Sequence, residues 1–312
     1  MTRRSFTALP LAAAAAVAQP APARTTFCLF SKHVHFLPVA EAARVAKTHG
    51  YDGLDLTVRG DGHVEPERVE DDLPAAVQAA RAAGSDVPMI TAGIRDTGSA
   101  HAEKILRTMK AIGLRHYRWG GFRYDLAKPL PPQLKTIKKQ VSELAAMNRQ
   151  YGVCAMYHTH SGIGQVGASM WDLAQLLDGE NPDYVSVNYD IGHATIEGGF
   201  GGWIHSARLL APMMRGVALK DFLWAKNPKG EWRPAWAPAG EGMVNFPQFL
   251  AMLKESGFSG PLQVHVEHPA GGADRGLRDL TLPREHVLSI LEKDARVLRA
   301  YAAKAGLITA TP

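Results

Sequence analysis

Short apolar runs that favour β-structure recur along the chain, and their regular spacing is the feature that most constrains its fold. The runs lie roughly thirty residues apart, which is the length of one strand–helix unit. The eight runs are Phe27–Phe30, Leu54–Val58, Pro88–Ala92, His116–Trp119, Val153–Tyr157, Val185–Asp190, Gly216–Lys220 and Leu262–Glu267. Such a repeat predicts a parallel β-sheet in which a helix follows each strand.

Helical periodicity fills the segments between these runs. The eight predicted helices are Val39–His49, Leu73–Ala83, Ala100–Ile112, Gln133–Tyr151, Trp171–Leu177, Trp203–Met213, Phe246–Ser256 and Arg284–Ala305. Several of them directly precede a glycine that can adopt the left-handed conformation with which many helices end, at Gly50, Gly84, Gly113, Gly152 and Gly257.

Eight strands that alternate with eight helices predict an α/β fold, a (β/α)8 TIM barrel forming a single domain. A doubly wound open sheet is the competing architecture, but it usually has fewer units and a glycine-rich phosphate loop after its first strand. Here the first run is followed by Ser31-Lys32-His33. The sequence therefore favours the barrel.

The first residues have the features of an export signal. Arg3-Arg4 precedes an alanine-rich apolar run over Ala8–Ala18, and Ala21-Pro22-Ala23 offers a cleavage site between small residues. This order is typical of a secretory signal peptide, and the paired arginines indicate twin-arginine export. We therefore expect a signal peptide over residues 1–23, a barrel over residues 24–312, and a periplasmic or secreted protein with no membrane anchor after cleavage.

The charge balance does not indicate a nucleic-acid partner. The 312 residues include 35 basic and 30 acidic side chains. The leader holds two of the arginines and no acidic residue, which leaves 33 basic against 30 acidic side chains in the mature chain. Nucleic-acid-binding domains usually show a clustered basic face instead. The two cysteines, Cys28 and Cys154, lie in separate strand runs and are interpreted as buried free thiols.

Histidines and a carboxylate follow two consecutive strand runs. His158 and His160 are two residues apart and so point to the same side of a strand, while Asp190 and His193 straddle the end of the next run. Three imidazoles and a carboxylate that converge from neighbouring strands would form a site for a divalent metal or for acid–base chemistry. Any one of these histidines, taken singly, can equally be a hydrogen-bonded polar residue of a loop.

Further ionisable residues lie where the other runs end, as expected for the carboxyl-terminal face of a barrel, where active sites of this fold are built. They are Lys32, His33, Asp55, Arg59, His63, Arg118, Lys220, Asp221, His265, Glu267 and His268. Alternation along the last strand places His265 and Glu267 on one face and His268 on the other.

Several motifs in this chain resemble the xylose-isomerase-like TIM-barrel superfamily, which holds sugar isomerases and epimerases together with endonuclease IV. The resemblance covers essentially the whole chain after the leader. The motifs are Gly50-Tyr51-Asp52-Gly53-Leu54-Asp55-Leu56, Tyr189-Asp190-Ile191-Gly192-His193-Ala194, Leu219-Lys220-Asp221, Gly240-Glu241-Gly242 and Gly257-Phe258-Ser259-Gly260-Pro261-Leu262.

The resemblance implies a divalent metal held by a glutamate on strand five, an aspartate on strand six, a histidine on strand seven and a glutamate on strand eight. Asp190 matches the aspartate, and His193 matches a family histidine that faces the substrate. The other three ligand positions correspond to His158, Ala218 and His265. The usual carboxylate-rich ligand set is therefore absent.

The remaining residues still provide a ligand set for a zinc, manganese or cobalt ion. His158, Asp190 and His265 are the expected ligands, with a fourth from the group His160, His193 and Glu267. Imidazole nitrogens suit zinc, cobalt, nickel or iron better than magnesium. The alternative is a metal-free site in which the histidines bind hydroxyl groups and Lys220 supplies the positive charge.

The resemblance also implies a reaction that begins by removing a proton from a carbon next to a carbonyl. Glu267 or His265 is the expected base, and His193 or His160 the acid. Lys220, Arg118 or the metal would stabilise the oxyanion. His33, Arg59, His63 and Arg118 are expected to bind substrate, together with Trp224 in a tryptophan- and proline-rich loop, a lid whose aromatic faces would stack on sugar rings. For Trp171 and Trp203 we expect packing between helix and barrel.

Three functions stay open on this basis. The first is an exported carbohydrate isomerase or epimerase that acts through an enediolate on a small carbohydrate substrate. The second is a keto-glycoside lyase that begins with the same step and continues by β-elimination. The third is a sugar-binding barrel without catalytic activity. The sequence leaves open whether the protein forms a homo-oligomer.

Overall fold

A closed barrel of parallel strands forms the centre of the protein in a computed structural model that describes residues 25–310. Its strands are β1 (Thr26–Phe30), β2 (Gly53–Val58), β3 (Met89–Ala92), β4 (His116–Trp119), β5 (Cys154–His158), β6 (Val185–Asp190), β7 (Met214–Leu219) and β10 (Pro261–Val264). Neighbours along the chain are also neighbours in the barrel, and β10 closes it between β7 and β1. The predicted TIM barrel is confirmed, whereas the predicted signal peptide over residues 1–23 lies outside the described residues.

Helices surround this barrel. They are α1 (Val39–Thr48), α2 (Val69–Ala82), α3 (Ala102–Ala111), α4 (Leu130–Tyr151), α5 (Trp171–Leu177), α6 (Ile191–Gly198), α7 (Gly202–Leu210), α8 (Phe246–Glu255) and α9 (Arg284–Lys304). The five glycines predicted to end helices all have positive φ, from 68° at Gly152 to 82° at Gly50. Within residues 25–310, no helix is long and apolar enough to cross a bilayer.

Two elements differ from the prediction. Helix α6 begins directly after β6, between that strand and the predicted helix Trp203–Met213, and was not among the eight predicted helices. The predicted lid after the seventh barrel strand is an antiparallel hairpin, formed by β8 (Asp221–Lys226) and β9 (Trp232–Ala237). Trp203 is buried as expected, but the packing role predicted for Trp171 is wrong because 59% of that residue is exposed.

The inside of the barrel changes from apolar to polar along the strands. Met89, Cys154 and Met156 form a separate buried apolar cluster. Two residues further along β5, His158 points to the same side as Cys154 and Met156 because side chains alternate along a strand. Polar side chains thus begin near the carboxyl end of the barrel, where they can reach a ligand. Both cysteines are free and buried, as predicted.

Replacing Gly260 with alanine should destabilise the barrel, because the added Cβ would lie 2.2 Å from the backbone oxygen of Arg215. A backbone atom cannot move aside as a flexible side chain can, so we expect a loss of about 2 to 3 kcal/mol in the free energy of unfolding. Gly60→Ala is the matched control, since no atom lies within 4 Å of its Cβ position. Urea unfolding followed by circular dichroism measures both variants, and equal midpoints would contradict this packing.

Candidate active site

The three residues expected to bind a metal meet at the carboxyl ends of β5, β6 and β10. His158, Asp190 and His265 are all buried, and each offers one ligand atom within 4.8 Å of the other two. Nε2 of His158 lies 3.4 Å from Oδ2 of Asp190. The rings of His158 and His265 stack with their centroids 5.3 Å apart. The geometry therefore brings the predicted ligands together around one point.

Unsatisfied polar atoms show that this cluster fits a metal ion. Nε2 of His158 and Nε2 of His265 are buried and make no hydrogen bond to any group of the described chain, and Oδ2 of Asp190 beside them has the ammonium of Lys220 as its ion-pair partner, at 3.0 Å. Buried polar atoms in proteins nearly always have a partner. Burial holds the pKa of both histidines well below 6.5, so both rings are neutral and have a lone pair to donate. Two imidazoles and a carboxylate are the ligand types of zinc and related ions.

The tautomer of His158 depends on a pair of amides beneath it. Nδ1 of His158 lies 3.2 Å from the amide nitrogen of Asn188. Asn188 and Gln263 exchange two hydrogen bonds, of 2.9 and 3.0 Å. Because this pair is reciprocal, both amides can turn over together, keep their two bonds and present the Asn188 oxygen to His158. Nδ1 then donates its proton to that oxygen, which leaves Nε2 free to bind a metal.

Lys220 places a buried positive charge beside the same carboxylate. Its Nζ lies 3.0 Å from Oδ2 of Asp190 and 2.8 Å from Nε2 of His193, and it sits 4.6 Å from the ring centroid of Trp236. Only 4% of Lys220 is exposed. Burial and the ammonium group hold the pKa of His193 well below 6.5. The neutral ring therefore accepts a hydrogen bond from Lys220 and donates one from Nδ1 to Ser161, 2.8 Å away.

Glu267 and His160 complete the centre of the cleft. Burial alone would raise the pKa of Glu267, but Lys220 and Lys32 outweigh it and lower the pKa to about 2. Its carboxylate is ionised at neutral pH and pairs with Lys32 at 3.2 Å. Burial, followed by the charge of Arg118, lowers the pKa of His160 to about 3. His160 is thus a neutral ring, 4.5 Å from the ring of His158 between centroids.

Two arginines line the other side of the cleft. Arg59 follows β2 and Arg118 lies in β4, and their guanidinium carbons are 5.7 and 5.4 Å from the ring centroid of Phe30. That ring stacks on His265 at 4.6 Å. Asp55 lies close by, and Thr91 donates to both of its carboxylate oxygens. Burial raises the pKa of Asp55 to about 6.

Two histidines expected to contact substrate form hydrogen bonds to the loops around the site. His33 is fully buried, its Nδ1 bonds the carbonyl of Ala273, and its Nε2 accepts the backbone N–H of Val266. Backbone groups thus occupy both ring nitrogens of His33, and its predicted role in binding substrate stays a prediction. The ring of His63 bonds the Leu37 carbonyl through Nε2, at 3.2 Å, and lies against the hydroxyl groups of Ser31 and Thr57. These contacts hold together the loops that follow β1 and β2.

The hairpin reaches the site through a different tryptophan from the one expected. The ring centroid of Trp236 lies 5.2 Å from that of His193. Trp224 lies two residues beyond Phe222, the partner of Trp236 in the hairpin, and is therefore nearer the hairpin tip. It is 40% exposed and lines a separate surface cavity with Phe200 and Met243. Sequence reasoning placed both tryptophans in one lid but assigned substrate contact to Trp224. Only the pairing of Phe222 with Trp236 shows which ring lies nearer the barrel.

Two other strand-end residues stabilise the fold. Asp221 accepts backbone N–H groups from Gly240, Gly242 and Val244. His268 pairs with Asp294 at 2.9 Å. Asn188 and Gln263, by contrast, belong to the site and were not predicted. The sequence did hold a signal for Asn188: polar residues occupy alternate positions of β6, a strand that was expected to be buried.

Comparison with known proteins agrees with this architecture. The family model of the xylose isomerase-like TIM barrel matches residues 43–305. The chain belongs to this family. A structure called D-tagatose 3-epimerase-like protein is similar with a TM-score of 0.65 and 13% identity, over 90% of this chain and 98% of that one. A structure of IolI protein with a bound zinc atom is similar with a TM-score of 0.66 and 16% identity, over 89% of this chain and 99% of that one. At these identities the likeness shows the fold alone.

Among curated proteins, an inosose dehydratase of Mesomycoplasma hyopneumoniae (strain 7448) is similar. The two are 25% identical over 146 residues, which is 43% of this chain and 47% of the relative. The chain thus spans about half the length of the curated relatives it matches.

Removing a ligand should remove the metal. We expect His158→Ala and Asp190→Ala each to reduce bound zinc from one ion per chain to less than about a tenth, because two remaining ligands hold the ion weakly. His205→Ala, at an exposed position of α7, is the control and should retain the ion. Elemental analysis after dialysis against zinc, followed by metal-free buffer, measures the content. Unchanged stoichiometry in both ligand variants would contradict the assignment.

The stability of the metal-free protein should fall as the pH drops below 6.5. Burial lowers the pKa of His33 and His160 to about 3 and of His35 and His63 to about 4. Below pH 6.5, the ordinary histidine pKa, the unfolded chain therefore binds more protons than the folded chain. Each such histidine then lowers the free energy of unfolding by up to about 1.4 kcal/mol per pH unit. Glu267 adds a further loss of stability as the pH falls from 4.5, its pKa in the unfolded chain, to about 2, its pKa in the folded protein.

Asp55 acts in the opposite direction. Its stabilising contribution is fully present below pH 3.8, its pKa in the unfolded chain, and is lost as the pH rises through about 6, its pKa in the folded protein. Four histidines outweigh this one carboxyl group, so urea midpoints measured in a chelator should be lower at pH 5.5 than at pH 7.5. Midpoints at pH 7.5 and 8.5 should agree. A midpoint that rises on acidification would contradict the burial of neutral rings.

Proposed function

We propose that the protein is a carbohydrate isomerase or epimerase that removes a proton from a carbon next to a carbonyl. The observation that carries the proposal is the buried cluster of His158, Asp190 and His265 beside Lys220 and Glu267, in which Nε2 of both histidines has no hydrogen-bond partner in the described chain. Its position at the carboxyl end of the barrel is where enzymes of this fold react. Membership of the xylose isomerase-like family supports the same reading.

His158, Asp190 and His265 would hold the metal, and their two imidazoles favour zinc or cobalt, with manganese as the third expected ion. A bound divalent ion supplies Lewis acidity that polarises the substrate carbonyl. Lys220 adds a fixed donor whose Nζ points into the same space and stabilises negative charge on the substrate oxygen.

The carboxylate of Glu267 takes the proton from carbon. It is ionised and half-buried. A carboxylate with a pKa of about 2 is a weak base. Lys32, its partner at 3.2 Å, is therefore the group whose displacement by substrate would raise the pKa and strengthen the base. His160 serves as the acid in its neutral form, as a hydrogen-bond donor to the substrate oxygen: its Nε2 lies 3.4 Å from the Arg118 guanidinium, and its other nitrogen would carry the proton.

A lyase is the second candidate, and the similarity to an inosose dehydratase favours it. Loss of a hydroxyl group next to the deprotonated carbon requires the same first step and then an acid for the leaving oxygen. A keto-glycoside lyase would expel a glycosidic oxygen in the same way.

The signal peptide expected over residues 1–23 would place either enzyme in the periplasm or outside the cell.

Exchange of substrate protons with deuterated water tests the shared step. We expect zinc-loaded protein to exchange the proton next to the carbonyl in at least one member of a panel of ketoses, keto-glycosides and inososes, followed by proton NMR. Glu267→Gln should slow the exchange at least about 100-fold, because the base contributes 10² to 10⁴. Glu241→Gln is the control, since Glu241 is exposed and pairs with Lys293 away from the site.

The products separate the candidates. A new sugar isomer indicates the isomerase, and release of water or an aglycone indicates the lyase. Binding of sugars without exchange in the metal-loaded protein would indicate a non-catalytic sugar-binding barrel and contradict both enzymatic proposals.

A further inference from the structure

We propose that Arg59 and Arg118 form a subsite for the carboxylate group of an acidic sugar, such as a hexuronate or its keto form. The inference rests on the proposed function in taking the cleft as a sugar site, and it deepens that function by naming the class of substrate. It is carried by the position of the two guanidinium groups, by their lack of an acidic partner and by the charge of the cleft.

The two guanidinium groups lie near the same aromatic ring, and Arg59 is close enough to contribute to the lowered pKa of Arg118, after burial. Arg59 follows β2, Arg118 lies in β4, and both come within 6 Å of the ring centroid of Phe30, which ends β1. Lys32 approaches the same ring at 5.5 Å. An aromatic face attracts cations, but one ring cannot balance three charges. The arrangement therefore concentrates positive charge on the wall of the cleft.

Neither arginine has an acidic partner within the part of the chain that the structure describes. Lys32 pairs with Glu267, whereas no carboxylate of residues 25–310 lies within 4.0 Å of the guanidinium of Arg59 or Arg118. Arg118 makes one long contact, 3.4 Å to the ring of His160. Asp55, the nearby carboxyl group, has both oxygens bonded to Thr91. Two half-buried guanidinium groups are thus left with unused donors.

Half-buried charges without partners are costly, and a ligand that supplies the partner recovers that cost. A guanidinium presents its N–H groups as a planar fork that matches the two oxygens of a carboxylate. Both arginines keep their charge at neutral pH, although burial lowers the pKa of Arg118 to about 10. A carboxylate placed between them would receive charge-assisted hydrogen bonds from two sides.

The charge of the cleft favours an anionic sugar over a neutral one. Four cationic side chains face three carboxylates, namely Lys32, Arg59, Arg118 and Lys220 against Asp55, Asp190 and Glu267. The excess is one positive charge before any metal binds. A carboxylate on the substrate would offset that excess, and a bound divalent ion would increase the attraction for an anion.

The subsite also lies at a suitable place relative to the reacting centre. Arg118 contacts His160, and the ring of His160 lies 4.5 Å from that of His158 between centroids. A sugar whose carboxylate rests on the arginines would therefore extend past His160 toward the ligand cluster and Lys220. Its carbonyl would lie at the cluster and its acidic group at the opposite wall.

Binding measurements on matched sugars test this subsite. Zinc-loaded protein would be titrated calorimetrically with glucuronate, galacturonate and mannuronate, with the corresponding neutral hexoses, and with the hexose 6-phosphates. We expect the acid to bind at least about ten-fold more tightly than the neutral sugar in at least one pair, the scale of hydrogen bonds to charged groups. Arg59→Gln and Arg118→Gln should each reduce that preference at least about five-fold.

Two further variants separate charge from shape. Arg118→Lys retains the charge without the planar fork and should retain part of the preference for the acid. Arg95→Gln is the matched control, because Arg95 follows the neighbouring β3, is exposed and pairs with Asp96; it should bind all the sugars as the unchanged protein does.

Other outcomes would overturn the inference. Equal binding of acid and neutral sugar in every pair, tighter binding of the 6-phosphates, or an acid preference unaffected by either Gln variant would each contradict it. These results are distinct from failure of the proposed function. Proton exchange on neutral sugars without acid preference would retain the function and reject the subsite, whereas acid preference without exchange would do the reverse.

Discussion

The site depends on compensation of one buried carboxylate. Asp190 is fully buried at the end of β6, and an ionised carboxylate without partners would be prohibitively unfavourable there. Its Oδ1 accepts the backbone N–H of His193 and so begins α6, while Oδ2 faces Lys220 and His158. The aspartate thereby joins a strand to a helix and brings cationic and neutral groups to one point. A metal ion at the cluster would share that oxygen with Lys220.

The family pattern clarifies how this chain differs. The resemblance implies ligands from two glutamates, an aspartate and a histidine, and it places His158 and His265 at the glutamate positions and Ala218 at the histidine position. With fewer carboxylates, the cleft has an excess of positive charge, to which Lys220 adds directly beside Asp190. Imidazole ligands suit a softer metal ion, and the excess of positive charge suits an anionic substrate.

The barrel could be predicted because its repeat is local, whereas the finer site depends on long-range packing. The eight strands and the convergence of His158, Asp190 and His265 follow from where apolar runs end. The backbone contacts of His33 could not be predicted, because a strand end does not show that backbone groups occupy both ring nitrogens. Likewise, the choice between Trp224 and Trp236 depends on hairpin register, which the intervening loop does not specify.

The central claim is that the buried cluster is a metal site. Its most direct test is X-ray absorption at the zinc edge, measured on protein loaded with one equivalent of zinc. The account predicts two imidazole ligands among nitrogen and oxygen atoms at roughly 2.0–2.2 Å, and no sulfur. The spectrum of Asp190→Asn should change, whereas that of Arg95→Gln should not. A spectrum with sulfur ligands, or without imidazole scattering, would contradict the account.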